Sequence, residues 1–172
     1  MFLKNWYKIV FGMMSGAGMP LQIKDTSGTA RNFAFNSSPA QMIYFSVYDI
    51  LKKWTTNPTN DYGVVFGNGD TPVTMDDYKL AGSIVTGCTV TLANGSSCAD
   101  DGVTIEKTFS VSNTGNADIT IKEVGIVHAF YYSSTAYKYA LVERTVLDSP
   151  VTIPAGGFGQ VIYRISAPFP TA

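Results

Sequence analysis

Asp118-Ile119-Thr120-Ile121-Lys122-Glu123-Val124-Gly125-Ile126-Val127 is the stretch from which the fold is read. Side chains of a strand alternate between two faces, so Ile119, Ile121 and Glu123 fall on one side and Thr120, Lys122 and Val124 on the other. One side is expected to face a core and the other water. A second segment, Thr145-Val146-Leu147-Asp148-Ser149-Pro150-Val151-Thr152-Ile153-Pro154-Ala155-Gly156, has the same form. Val151 and Ile153 alternate around Thr152, and the pattern stops at Pro154, which lacks the N–H a ladder needs. Both segments read as scaffold, with no catalytic constellation beside them.

The rest of the chain agrees with strands. Its 172 residues are 45% hydrophobic and only 15% charged, which suits one domain or one and a half with a real core and excludes intrinsic disorder. Ten Tyr, ten Phe, 16 Gly and 8 Pro favour strands and turns over helices. The formal net charge of −1 gives no electrostatic footprint for nucleic acid, so no nucleic-acid partner is expected.

Strands are predicted at Tyr62–Phe66, Ile84–Leu92, Val103–Asn113, Ile119–Phe130, Tyr137–Leu147 and Gly159–Ile165. Turns are predicted at Asn94-Gly95, at Asn113-Thr114-Gly115-Asn116 and at Ala155-Gly156-Gly157. Short strands separated by regular turn signals are what a β-sandwich produces. Residues Leu21 to Phe35 read as a hairpin around Asp25-Thr26-Ser27-Gly28, and Met75 to Leu80 as a helical turn or loop. Between Gln41 and Trp54 helix and strand periodicities compete.

The opening Met1-Phe2-Leu3-Lys4-Asn5-Trp6-Tyr7-Lys8-Ile9-Val10-Phe11-Gly12-Met13-Met14 interleaves lysines with apolar residues, unlike a secretory signal, and is too short to span a bilayer. Leu3, Trp6, Val10 and Met13 or Met14 share a helical spacing, so the segment reads as an amphipathic arm that docks on its own domain or on a neighbouring subunit. Ser15-Gly16-Ala17-Gly18-Met19-Pro20 then forms a joint. The resulting division is an anchoring arm over 1–19, a hairpin and connecting segment over 20–60, and a β-sandwich domain over 61–172.

Candidate chemistry is sparse. Gly67-Asn68-Gly69 has the glycines of a phosphate loop, but no Gly-Lys-Ser or Gly-Lys-Thr follows and no third glycine opens a helix, so it reads as a turn. Asp70, Asp76, Asp77, Asp100 and Asp101 lack the oxygen ladder of a calcium loop and read as turn formers. His128 is the only histidine and lies inside an apolar strand, with no nucleophile, orienter or oxyanion donor in view. No enzymatic activity, cofactor or metal is expected.

Cys88 and Cys98 stand ten positions apart, a spacing at which a hairpin turned at Asn94-Gly95 would join them. A disulfide and two free thiols are equal alternatives, and neither residue has the companions of a zinc site.

Glu123 and Arg144 are charged residues in otherwise apolar strands, and a bidentate carboxylate–guanidinium contact would satisfy both. Tyr131, Tyr132, Tyr137 and Tyr139, interleaved with serines, have the make-up of a partner-binding loop, or equally of a hairpin crossed by ordinary tyrosine pairs.

The order of three motifs, Val64-Val65-Phe66-Gly67-Asn68-Gly69-Asp70-Thr71-Pro72 running on to Leu80, Ile119 to Ile126, and Leu141-Val142-Glu143-Arg144-Thr145-Val146-Leu147-Asp148 with Val151 to Gly156, resembles small structural proteins of tailed bacteriophages and prophages. The opening Leu3-Lys4-Asn5-Trp6 is similar to the start of such proteins, and Phe109 to Ile121 is similar to hairpins of immunoglobulin-like modules.

The resemblance implies an immunoglobulin-like or jelly-roll-like β-sandwich in a virion. Such a protein works as a multimeric tail or capsid-surface accessory component, with copies of itself and other virion proteins as partners and no membrane insertion. Phe2, Leu3, Trp6, Tyr7 and Val10 are the expected assembly contact. The alternative is a receptor- or carbohydrate-binding module at the tip of a phage appendage, with the tyrosine loop stacking on a host-surface glycan.

Overall fold

A computed structural model of the protein describes residues 1–15, 21–33, 54–99, 102–133 and 136–168. The described elements are one helix, α1 (Lys4–Ser15), and eight strands. These are β1 (Leu21–Lys24), β2 (Ala30–Phe33), β3 (Gly63–Gly67), β4 (Cys88–Ala99), β5 (Gly102–Asn113), β6 (Ile119–Ser133), β7 (Ala136–Ile153) and β8 (Phe158–Pro168). They form three sheets, β1-β2, β3-β6-β7 and β4-β5-β8, and every pair whose register is defined is antiparallel. The chain is all-β with a short N-terminal helix, as its sequence predicts and as a sandwich requires.

The chain divides into two compact units. The first comprises Met1–Val85 and Ile121–Pro150, the second Thr86–Thr120 and Val151–Ala172.

In the first unit, β3 lies against β6 with Val65 opposite Gly125 and Gly67 opposite Glu123. Leu3, Val65, Leu80, Val127 and Leu141 make one buried cluster. The alternate residues Val64, Phe66, Val124, Ile126 and Phe130 are buried too. The expected wet face therefore ends at Lys122. From Glu123 to His128 every side chain is buried, because a strand inside a sheet covered on both faces has no water to present a polar side to.

Short segments of the chain bond along both edges of this sheet. Along β7, the Leu3 N–H donates to Val142 O and the Arg144 N–H to Met1 O, so residues 1–3 lie on the strand as a short rung. The Met1 ammonium donates to Glu143 Oε1 and Arg144 O, both at 2.7 Å. Along β3, the Thr55 N–H donates to Val64 O and the Val85 N–H to Phe66 O. Exposed rows of unpaired amides invite foreign strands, and these short segments shorten them.

α1 forms as predicted but buries a different stripe. Asn5 and Ile9, one turn apart, face the protein, while Trp6 and Val10 are half-buried. Asn5 is tolerated inside because its Nδ2 donates to Lys24 O (2.9 Å) and Leu141 O (3.0 Å) and its Oδ1 accepts the Lys24 N–H, tying α1 to β1 and β7.

The β1–β2 hairpin turns where expected. Asp25 Oδ1 accepts the backbone N–H groups of Ser27 and Thr29, and Gly28 supplies the φ of +86°. Burial alone would raise the Asp25 carboxyl, but hydrogen bonds from Ser27, Arg31 and Thr29 outweigh it and hold the group below the ordinary aspartate range.

In the second unit, β5 is the central strand, paired with β4 from Cys88 opposite Asn113 to Ala99 opposite Gly102, and with β8 from Phe158 opposite Ser112 to Pro168 opposite Gly102. Both registers run without a bulge. Phe109, Val111 and Val161 point to its buried side. Asn113 closes the sheet end by donating through Nδ2 to Ala117 O, Ile153 O and Pro154 O at 2.8–3.0 Å.

Several expectations are corrected. Asn94-Gly95 is no turn but the middle of β4, because continued pairing to β5 outweighs the local preference of that dipeptide. Cys88 and Cys98 consequently lie along one strand, and the Cys88 thiol is free and buried. β4 starts at Cys88 and not at Ile84, and β7 runs on through Pro150 to Ile153, which an edge strand permits. Of the two readings of Met75 to Leu80, helical turn or loop, the loop holds, with a turn at Met75-Asp76 and no helix. The competing readings of Gln41 to Lys53 fall outside the described residues.

Candidate functional site

The first unit carries a densely bonded buried carboxylate. Glu123 enters from β6, fully buried, and its carboxylate accepts four hydrogen bonds. Oε1 accepts from the backbone N–H of Gly69 (3.1 Å) and Gly82 (2.7 Å), and Oε2 from that of Ala81 (3.1 Å) and from Arg144 Nε (2.7 Å).

The glycines that suggested a phosphate loop do present backbone amides to an anion, but the anion is the protein's own carboxylate. Close approach demands them. A Cβ on Gly69 would lie 2.3 Å from Gly82 N, and one on Gly82 would lie 2.2 Å from Gly69 N. Neither spacing is open to a residue with a side chain.

Arg144 completes the arrangement. The bidentate contact expected with Glu123 is replaced by a fan: Nε donates to Glu123, Nη1 to Asp77 Oδ2 (2.6 Å) and Nη2 to Thr71 O (2.8 Å). Burial would lower the guanidinium, and the two carboxylates more than reverse that, holding it above its ordinary value. At Asp77 burial would likewise raise the carboxyl, but Thr74 through its hydroxyl and N–H, together with Arg144, holds it below the ordinary range. Asp77 also accepts from Thr74 Oγ1 at 2.7 Å, which fixes the turn before Tyr78. One carboxylate and one guanidinium thus pin residues 67–72, 74–77 and 81–82 to the sheet.

The pinned segment 79–84 forms one wall of a cavity of about 260 Å³. Val65, Leu80, Val127 and Leu141 make its apolar floor, and Thr26, Lys79 and Ser83 stand at its rim. The opposite wall is held by Thr26, whose Oγ1 donates to Pro58 O (3.0 Å) and whose N–H donates to Tyr139 O (2.9 Å). Lys79 is the titratable side chain among the described lining residues. An apolar floor with hydroxyls and one ammonium above it suits a ligand or side chain with an apolar body.

His128 follows Val127 on β6 and so points to the other side of the sheet from the cavity floor. Burial pushes its imidazole down to about 4. Of the acidic loop residues, Asp70 pairs with Lys122 (2.8 Å), which lowers its carboxyl, Asp76 pairs with Lys4 (2.7 Å), and Asp77 belongs to the Arg144 fan. Asp100 and Asp101 lie outside the described residues. Among the described residues no three His, Cys, Asp or Glu side chains converge as a metal site.

The expected assembly contact is dispersed. Leu3 is spent inside its own core, Phe2 stacks on Trp6 with ring centroids 4.6 Å apart, Val10 is half-buried, and Tyr7 is exposed at 53%. In the tyrosine hairpin, Tyr139 packs against the core cluster while Tyr137 is 48% exposed. The backbone of Tyr131 and Tyr132 continues β6, and their side chains lie outside the described set. The sequence carried no sign of the Gly69–Ala81–Gly82 cradle beyond the glycines themselves, nor of Asn5 as a buried tie.

Compared with protein-family models, curated proteins and solved structures, the chain has no match.

Proposed function

We propose that this chain is a structural protein of a tailed-bacteriophage particle, a multimeric tail or capsid-surface accessory component that works by assembly and turns over no substrate. The phage assignment is supported by the order of sequence motifs described above. The assembly role is supported by one contrast between the two units. In the β3-β6-β7 sheet short segments of the chain bond along β3 and along the middle of β7, whereas β4 and β8 are the outer strands of the β4-β5-β8 sheet. Open edges are the usual means of strand-to-strand association.

The test is quantitative mass spectrometry of purified particles from the host that carries the sequence. A fixed copy number per particle is expected. Particles of normal composition and infectivity without this chain would overturn the reading.

A second reading, a receptor- or glycan-binding module, is favoured by the cavity with its hydroxyl-bearing rim and by exposed Tyr137 on a neighbouring strand. Saturable binding on a glycan array, lost in Tyr137→Ala or Leu80→Trp, would select it over a purely structural role.

A further inference from the structure

We infer that β8 is a homotypic contact, pairing antiparallel with β8 of a second copy of this chain about a two-fold axis at Ile162. The inference rests on the assembly reading above and names its surface.

β8 lies at the edge of its sheet, and its eleven residues carry none of the devices that blunt an edge. There is no lysine, no bulge against β5, and no proline before Pro168. Its one charge, Arg164, is held by Glu106 across the ladder. On its outer face Phe158 is 62% and Ile162 57% exposed, the two most exposed large apolar side chains among the described residues. The opposite edge, β4, is a poorer candidate, because Asn94-Gly95 in its middle are weak strand formers.

The strand is complementary to itself. With Ile162 opposite Ile162 of the copy, residue numbers across the contact sum to 324. Gln160 then meets Arg164, Val161 meets Tyr163, and Phe158 meets Ser166, giving a ladder from Phe158 to Ser166. Arg164 never faces its own copy, so no like charges oppose each other. Apolar residues occupy the axis, and polar partners flank them. A two-fold contact of this kind is isologous and closes on itself. A single ladder is smaller than a standard interface of about 1,600 Å², so the pair is weak alone and gains strength when many copies are held in one array.

The test uses the full chain in sedimentation velocity over a rising concentration series. Wild type is expected to show a concentration-dependent dimer. Ile162→Lys and Ile162→Glu, at an exposed position that leaves the thermal midpoint in place, should each weaken dimerisation at least tenfold. An equimolar mixture of the two should restore it, because opposite charges then meet on the axis. Association unchanged in both variants would overturn the β8 contact and leave the assembly reading standing on another surface. A wild-type chain that stays monomeric at every concentration, yet is present at fixed copy number in particles, would overturn the homotypic contact alone. Monomer in solution together with absence from particles would overturn both.

Discussion

Arg144 Nε donates to Glu123 Oε2 at 2.7 Å with both side chains shut away from solvent, and the two residues sit on different strands, β7 and β6. The pair is the joint by which two turns and a cavity wall are fixed to a sheet.

Removing both partners should cost less than the two single losses added together. Glu123→Gln leaves Arg144 facing a neutral amide, and Arg144→Met leaves Glu123 with three amide donors and no counter-charge. Arg144→Met is expected to destabilise by about 3–5 kcal/mol, the usual penalty for a stranded buried charge, and Glu123→Gln by less, because Asp77 still pairs with the guanidinium. The double variant Glu123→Gln/Arg144→Met should lose clearly less than the sum. Urea unfolding of the four proteins measures this, and strict additivity would refute the coupling.

The glycines divide by mechanism. Gly69→Ala and Gly82→Ala insert a methyl where backbone nitrogen already stands 2.2–2.3 Å away, so each is expected to cost about 1–3 kcal/mol or more and to loosen the cavity wall. Gly87→Ala meets nothing within 4 Å but must hold φ at +75°, a backbone cost of about 1–2 kcal/mol with no effect on the cavity. Amide hydrogen exchange at Ala81 separates the two cases. It should accelerate in the first pair and stay unchanged in the third.

His128 should make the fold sensitive to mild acid. Its folded value, about 4, lies below the ordinary 6.5, so the unfolded chain binds a proton more readily. The favourable contribution is complete above pH 6.5 and is lost as pH falls towards 4, up to about 3 kcal/mol in all. The depressed Asp25 and Asp77 carboxyls act in a lower window, where stability present above the ordinary aspartate value of 3.8 is lost as they protonate. Thermal midpoints of wild type and His128→Leu between pH 7 and 4 should diverge, with the variant the flatter. Parallel curves would rule the histidine out.

The Cys88 thiol should be inert in the native state, since it is buried and burial pushes its ionisation up. An aromatic disulfide reagent is expected to label Cys88 only as fast as the protein opens. Mapping the labelled peptides in the presence and absence of urea checks this, and rapid native labelling at Cys88 would contradict the packing.

Much of this architecture can be read from residues alone where local pattern and tertiary environment agree. Ile119, Ile121 and Glu123 alternate, and the strand is there. Asp25 and Gly28 mark a turn by chemistry that works within five residues, and the turn is there. Asn94-Gly95 carries the same kind of signal and fails, because a ladder of twelve paired residues overrides two.

The pairing of Glu123 with Arg144 was legible because charge inside apolar strands needs a partner. The cradle around Glu123 was not. Its donors are main-chain groups at 69, 81 and 82, and an N–H looks alike in every residue but proline. Asn5 stayed hidden for a related reason, since nothing in a helical stripe says which amide will find two carbonyls.

Ala81 lends the carboxylate only its N–H, and its side chain faces solvent, as does that of Ser83. The frame of the cavity and the chemistry of its lip are therefore written in separate alphabets. Positions 81 and 83 can be rewritten with almost any residue except proline while the wall stays where it is, so new recognition at this rim can evolve without renegotiating the fold.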